Sequence, residues 1–176
     1  MEKKLIWLDL EMTGLDPNAE RIIEIYTCIT NEDLTEIIEG PGMVISQSKE
    51  LIDGMDEWNQ EHHSASGLID EVLASKISEQ EAEQRTLEFI KQHVGKNESP
   101  LCGNTVWHDR KFLSLYMPEL EDYFHYRCID VSSVKELTKR WRPDINIQHA
   151  KKTAAHRAEA DAVSYTHLTL PTINWV

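Results

Sequence analysis

The chain has 176 residues, 40% of them hydrophobic and 28% charged, with a formal net charge of −13, a balance that suits one soluble globular domain with a proper core. Such a charge argues against a protein that grips long nucleic acid by sheathing its phosphates, a mode that needs a basic surface. It leaves room for a site that touches one or two phosphates through metal ions, whose ligands would themselves be acidic.

No apolar run approaches the ~18–20 residues that cross a bilayer, so no membrane partner is expected. The opening MEKKLIWLDLEM has two lysines but an apolar run broken by acids and no small-residue cleavage site, so it does not read as a signal peptide. Cys28, Cys102 and Cys128 are far apart and form no CxxC pair. Neither a disulfide framework nor a zinc knuckle is indicated, and a reducing cytoplasm fits best.

In chain order, residues 4–10 and 21–30 read as buried strands, joined through GLDPNAE. A third strand is expected over 34–46, interrupted at Gly40-Pro41-Gly42. Helices are expected at 64–75 and 78–94, the second opened by Ser78 with Glu81 three residues on, a capping box. Its apolar residues at 82, 87, 90 and 94 lie near one face. A short strand at 99–104, a helix at 109–124 broken near Pro118, a strand at 125–130 and a helix at 131–141 follow. A last short helix is expected near His156. Strands first, then strands alternating with helices, predict an α/β fold with a mixed sheet flanked by helices. There is no internal repeat, low-complexity segment or domain boundary.

Asp9 and Glu11 stand out, two carboxylates inside LIWLDLEM. Two apart on a strand, they point to the same face, like charge beside like charge. A hard divalent cation would neutralise them, and a two-ion site for phosphodiester hydrolysis would want about four carboxylates. They could equally end an edge strand facing water. Asp109, where a strand gives way to a helix, and Asp161, in AHRAEADAV, are the further candidates, and each alone reads as a solvated helical acid. His156 precedes Asp161 by five residues, roughly 140° apart on one continuous helix. The two could converge only if His156 lies in the loop before that helix.

The runs DLEMTGLD, GNTVWHDRKFL, HYRCIDVSSVKEL and HRAEAD occur in order, with MDEWNQEHHSASGL and YMPELEDYFHYR between them. Together they resemble the oligoribonuclease family of the DEDDh exonuclease superfamily, over about Leu5 to Asp161. The resemblance implies an RNase H-like fold, a homodimer, and removal of nucleotides from the 3′ end of very short RNAs, down to dinucleotides. It implies Mg²⁺ or Mn²⁺, two ions per site, held by Asp9, Glu11, Asp109 and Asp161. His156 would be the general base, since a neutral imidazole can take a proton from the attacking water near pH 7.

Leu15 resembles the wedge that packs between the two bases, although a turn residue folded onto the core would look the same. Trp58 and His63 resemble base-contacting and phosphate-facing positions; outside the family Trp58 reads as core. EHH is no metal cluster, because adjacent histidines on a helix face different ways. Thr105, Arg127 and Ser132 resemble a cap around the substrate's 5′ phosphate, with Arg forking onto phosphate oxygens. Tyr126 resembles the tyrosine that a partner subunit contributes.

The chain departs from the family's pattern in places. Ala160-Asp161 replaces two consecutive acids, Cys128 stands where a tyrosine is common, and Trp107-His108 replace smaller or amide residues. From Val163 the run VSYTHLTLPTINWV has no charged side chain and no helical stripe, and resembles translated adaptor sequence. The expected organisation is therefore a single exonuclease domain over 1–162 and an atypical tail over 163–176, a truncated or chimaeric gene product, with a divergent genuine tail as the alternative. Two rival functions are a DnaQ-like exonuclease acting on longer DNA or RNA 3′ ends and a catalytically impaired module that binds short RNA.

Overall fold

Nine consecutive residues of the strand IIEIYTCITN are buried, which requires cover on both faces of the sheet that contains it. A computed structural model describes residues 3–144 together with 157 and 158. Its sheet comprises β1 (Lys4–Met12), β2 (Ile22–Asn31), β3 (Ile37–Val44), β4 (Pro100–Gly103) and β5 (His125–Asp130), in the order β3-β2-β1-β4-β5. β1 runs antiparallel to β2, and β2 to β3, whereas β1–β4 and β4–β5 are parallel. This is the mixed sheet that the sequence predicts. The helices are α1 (Lys49–Asp53), α2 (Glu57–Ala65), α3 (Leu68–Ala74), α4 (Glu79–Lys91), α5 (Val106–Tyr116), α6 (Pro118–Glu121) and α7 (Val131–Trp141).

Strand alternation divides β1 between two cores. Ile6, Leu8 and Leu10 join Ile25 and Ile29 of β2, Leu87 and Ile90 of α4, and Phe112 and Leu113 of α5 in the larger one. Trp7 points the other way, into a smaller cluster with Tyr26, Cys28, Cys102, Val131 and Ala158, and its Nε1 donates to Thr30 Oγ1 at 3.0 Å. A third cluster, Ile23, Ile52, Met55, Leu68 and Val72, seats α1 and α3. Glu83 of α4 is buried, yet its Oε1 accepts from the Glu119 and Leu120 N–H groups at 2.7 and 3.0 Å. It thereby satisfies first-turn donors of α6 that have no partner within that helix.

Several boundaries differ from expectation. β3 runs unbroken through Gly40-Pro41-Gly42. It is an edge strand, where a proline is tolerated. At Gly40 a Cβ would come within 2.4 Å of both the Thr27 carbonyl and the Phe89 ring, so the glycine permits a close approach there. The helix expected over 64–75 starts only after Gly67, at φ 77°, as α3, and α2 lies almost wholly before the expected span. The short polar helix α1 was not expected. Ser48 and Asp56 cap α1 and α2, accepting from the Leu51 and Asn59 N–H groups. Among the described residues no helix is long and apolar enough to cross a membrane.

Candidate active site

The side-chain alternation that sends Trp7 into the smaller cluster places Asp9 and Glu11 on that same face, toward the end of β1. Asp9 is 7% exposed. Opposite them on β2 stand Tyr26 and Glu24 respectively.

Asp109 arrives from a distant part of the chain. β4 ends at Gly103, where a Cβ would lie 2.9 Å from the Leu8 carbonyl. Thr105 then adopts a left-handed conformation (φ 61°) and starts α5. Asp109, in the first turn of α5, accepts from the Leu10 N–H at 3.2 Å. Its carboxylate therefore sits at the peptide that joins Asp9 to Leu10. Asp109 is buried, and burial pushes its pKa up to about 7, with nearby Asp130 adding to the rise; hydrogen bonds from its own backbone and from Leu10 act in the opposite sense.

These are oxygen donors only, and two of the three are buried acids, a set that suits a hard divalent cation. Among the described residues, no group of three or more His, Cys, Asp or Glu side chains is gathered tightly enough to hold a metal ion alone. The other two expected members, His156 and Asp161, lie outside the described residues. The residues between them can be placed in part. Arg157 bonds Glu24, and Ala158 is fully buried in the Trp7 cluster, on the face that carries Asp9 and Glu11.

Leu15 stands out from the surface, 76% exposed, on a loop that is tied down on both sides. Thr13 N–H donates to the Arg21 carbonyl, the Thr13 hydroxyl donates to the Glu20 carboxylate, and Asp16 accepts from both nitrogens of Asn18. Tyr116 of α5 donates to the Pro17 carbonyl at 2.6 Å. An apolar side chain is thus presented to solvent by a braced support and is not folded back onto the core. Trp58 is also exposed (56%) and stacks on His62, with centroids 3.9 Å apart and planes at 23°. His63, by contrast, is buried, and its Nε2 donates to the carbonyl of Met12, the residue after Glu11, at 3.1 Å.

Thr105 and Ser132, far apart in sequence, are gathered by Asp130. One oxygen, Oδ1, accepts from Thr105 N–H at 2.9 Å, from Ser132 N–H at 2.8 Å and from the Ser132 hydroxyl at 2.7 Å. The Ser132 hydroxyl proton is therefore engaged by Asp130. Arg127 and Tyr126 lie exposed on β5, an edge strand, with the guanidinium carbon 5.5 Å from the tyrosine ring centre. Cys128, on the same strand, receives a hydrogen bond from Arg110 Nη1 at 3.3 Å.

Sequence reasoning missed three contributors. Asp130 reads as a helix N-cap, which it is, and nothing local signals its bond to Thr105. Lys135, one turn into α7, donates to Asn104 Oδ1 at 3.4 Å and adds a cation beside Thr105. Glu24 is hidden within a strand of isoleucines.

Comparison with known proteins places this chain in a family. The exonuclease (RNase_T) family model matches residues 6–168, past Asp161, where the motif resemblance ends. A curated oligoribonuclease of Shewanella loihica is 54% identical over 160 residues, covering 91% of this chain and 88% of its own. The oligoribonuclease of Shewanella amazonensis is 52% identical over 159 residues, covering 90% and 87%.

Among solved structures, E. coli exonuclease I in complex with a dT13 oligonucleotide aligns with a TM-score of 0.68 at 17% identity. The alignment covers 94% of this chain and 40% of that one. A zinc-ion-bound form of the E. coli exonuclease I–single-stranded DNA complex aligns with a TM-score of 0.68 at 15% identity, covering 94% and 39%. The chain thus spans about two fifths of the length of these structures, and the likeness carries the fold alone. With more than half of the aligned residues identical to curated members over nine tenths of its length, the chain belongs to the oligoribonuclease family of exonucleases.

Proposed function

We propose that this protein hydrolyses very short oligoribonucleotides from the 3′ end, dinucleotides above all, to nucleoside 5′-monophosphates. Its family is that of a 3′–5′ exoribonuclease acting on short RNA. The observation that carries the finer reading is the Asp9–Glu11–Asp109 arrangement, with Asp109 fastened to the peptide after Asp9.

In this reading Asp9, Glu11, Asp109 and Asp161 hold two divalent ions, Mg²⁺ or Mn²⁺. Such ions polarise the phosphate and neutralise charge as the leaving oxygen departs. The protein supplies the rest. His156 accepts a proton from the attacking water at a ring nitrogen. The water oxygen bonds to phosphorus as the P–O3′ bond breaks; O3′ takes a proton from solvent, so the penultimate nucleotide keeps a 3′-hydroxyl, and the terminal nucleotide leaves with the phosphate. Leu15 wedges between the two bases and Trp58 flanks them, contacts that any base tolerates. His63 supports the end of β1 next to the reacting phosphate. Thr105, Arg127 and Ser132 close on the 5′ phosphate, so a chain longer than a few nucleotides finds no path. The charge of −13 disfavours long RNA as well.

A second copy of the chain completes the site by lending Tyr126. Support comes from exposed apolar side chains, Tyr126 and Ile129 on β5 and a stripe of Val134, Leu137 and Trp141 at helical spacing on α7. The protein acts in the reducing cytoplasm, where its three free cysteines are stable. The test is Asp9→Ala assayed on a dinucleotide with Mn²⁺. Loss of mononucleotide release by the folded variant is expected, and full activity would refute the mechanism.

A further inference from the structure

Glu24 is a buried carboxylate that the reaction does not use. Only 7% of its side chain is exposed, and in the β1–β2 register it lies directly opposite Glu11. Like charges opposed across a sheet are unfavourable, so its place needs a reason. Its partners supply one. Oε1 accepts from Arg157 Nε at 2.9 Å, and Oε2 accepts from the Ala158 N–H at 2.9 Å. Arg157 reaches further, donating from Nη1 and Nη2 to both oxygens of Glu71 on α3, at 3.0 and 2.9 Å. One short segment is thus gripped by two carboxylates that come from positions 133 and 86 residues away in sequence.

Stability alone is a weak explanation. A buried ion pair is worth about as much as a well-packed apolar pair, whereas its geometry is far more exacting. Arg157 forks onto Glu71 in the two-pronged manner that fixes a guanidinium plane. The backbone donor of Ala158, bonded to Glu24, fixes the chain along its length as well. His156 immediately precedes this clasp, and Asp161 follows Ala158 by three residues.

We propose that Glu24, backed by Glu71, is a positioning residue that sets the register in which the segment carrying His156 and Asp161 meets Asp9 and Glu11. The inference rests on the exonuclease reading only for the roles of His156 and Asp161. Both carboxylate oxygens of Glu24 are taken up by Arg157 and Ala158, and it acts through them. Outer partners that hold ligands in place typically contribute about 10- to 100-fold to metal affinity or activity.

The test uses the full chain with Glu24→Gln, Glu71→Gln, Arg157→Ala and Arg157→Lys. Two quantities are read: the rise in melting temperature with added Mn²⁺, and kcat and KM on a dinucleotide. Glu24→Gln should move the midpoint of the Mn²⁺-induced rise upward by about 10-fold or more and lower kcat by a similar factor, leaving KM nearly unchanged. Arg157→Lys should recover part of what Arg157→Ala loses, and Glu24→Gln combined with Arg157→Ala should be no worse than the poorer single variant. If Glu24→Gln melts too low to assay, Glu71→Gln, at a half-exposed position, should show the same shifts at about 10-fold, the low end for such partners. Folded Glu24→Gln or Glu71→Gln with the parent's Mn²⁺ midpoint would overturn the proposal, even if melting falls. Failure of the exonuclease reading is separable. It appears as an inactive parent chain, and the Mn²⁺ midpoints still decide the role of the clasp.

Discussion

Asp109 concentrates the electrostatics of the candidate site into one carboxyl. It is buried, bonded to Leu10 N–H, and pushed up to about 7 by desolvation first and by Asp130 second. Its folded pKa lies above the value of about 3.9 for an unfolded aspartate, so the folded state binds the proton more tightly. The stability this contributes is present below about pH 4 and is lost as pH rises through about 7. Metal-free protein should therefore lose stability over that window, and Asp109→Asn should flatten the loss, as urea titrations at several pH values would reveal. A bound divalent cation favours the carboxylate and should cancel the same slope. Asp9→Ala leaves the strand intact but removes a ligand from the proposed ion pair. A fall of at least about 10³-fold in mononucleotide release is expected, measured by chromatography with Mn²⁺ present.

Elements carry the site to its place, and they differ in how much of this the sequence discloses. β1 is readable because two acids interrupt an apolar run, and α4 because Ser78 caps it, accepting from Glu81 N–H as the spacing predicts. α1 and α2 escape notice because their residues are polar and carry no apolar stripe; only their caps, Ser48 and Asp56, mark them. Gly67 is a stop signal visible only once its positive φ is known. Glu83→Ala should leave the N–H groups of Glu119 and Leu120 without a partner, at a cost of about 2–4 kcal/mol in urea unfolding. Glu83→Gln, which keeps an acceptor, should lose less. On α7, Leu137→Glu places a charge in the exposed apolar stripe. If that stripe joins two copies, the variant should sediment as a monomer and lose dinucleotide activity, because Tyr126 then has no partner site to complete.

At the scale of the whole molecule, the site is assembled from contacts between residues far apart in the chain. Leu10 meets Asp109 across 99 positions, Thr105 meets Asp130 across 25, and Ala158 meets Glu24 across 134. Asp9 and Glu11 stand out in the sequence because two acids interrupt an apolar run, and Asp109 only because its motif resembles a family. Asp130 and Glu24 do not stand out, since one reads as an ordinary helix cap and the other as an interruption in a strand. Their roles exist only after folding brings Thr105 and Arg157 to them. Acidic composition, a braced Leu15 and the proposed 5′-phosphate cap all point the same way, toward a substrate that ends after very few nucleotides.

A competition between a labelled dinucleotide and an RNA of about twenty nucleotides, in Mn²⁺ at moderate salt, puts that conclusion to trial most directly. The account predicts that the dinucleotide is consumed first and yields nucleoside 5′-monophosphates while the longer RNA scarcely competes. Preferential trimming of the longer RNA, or binding of the dinucleotide without release of mononucleotide, would contradict it.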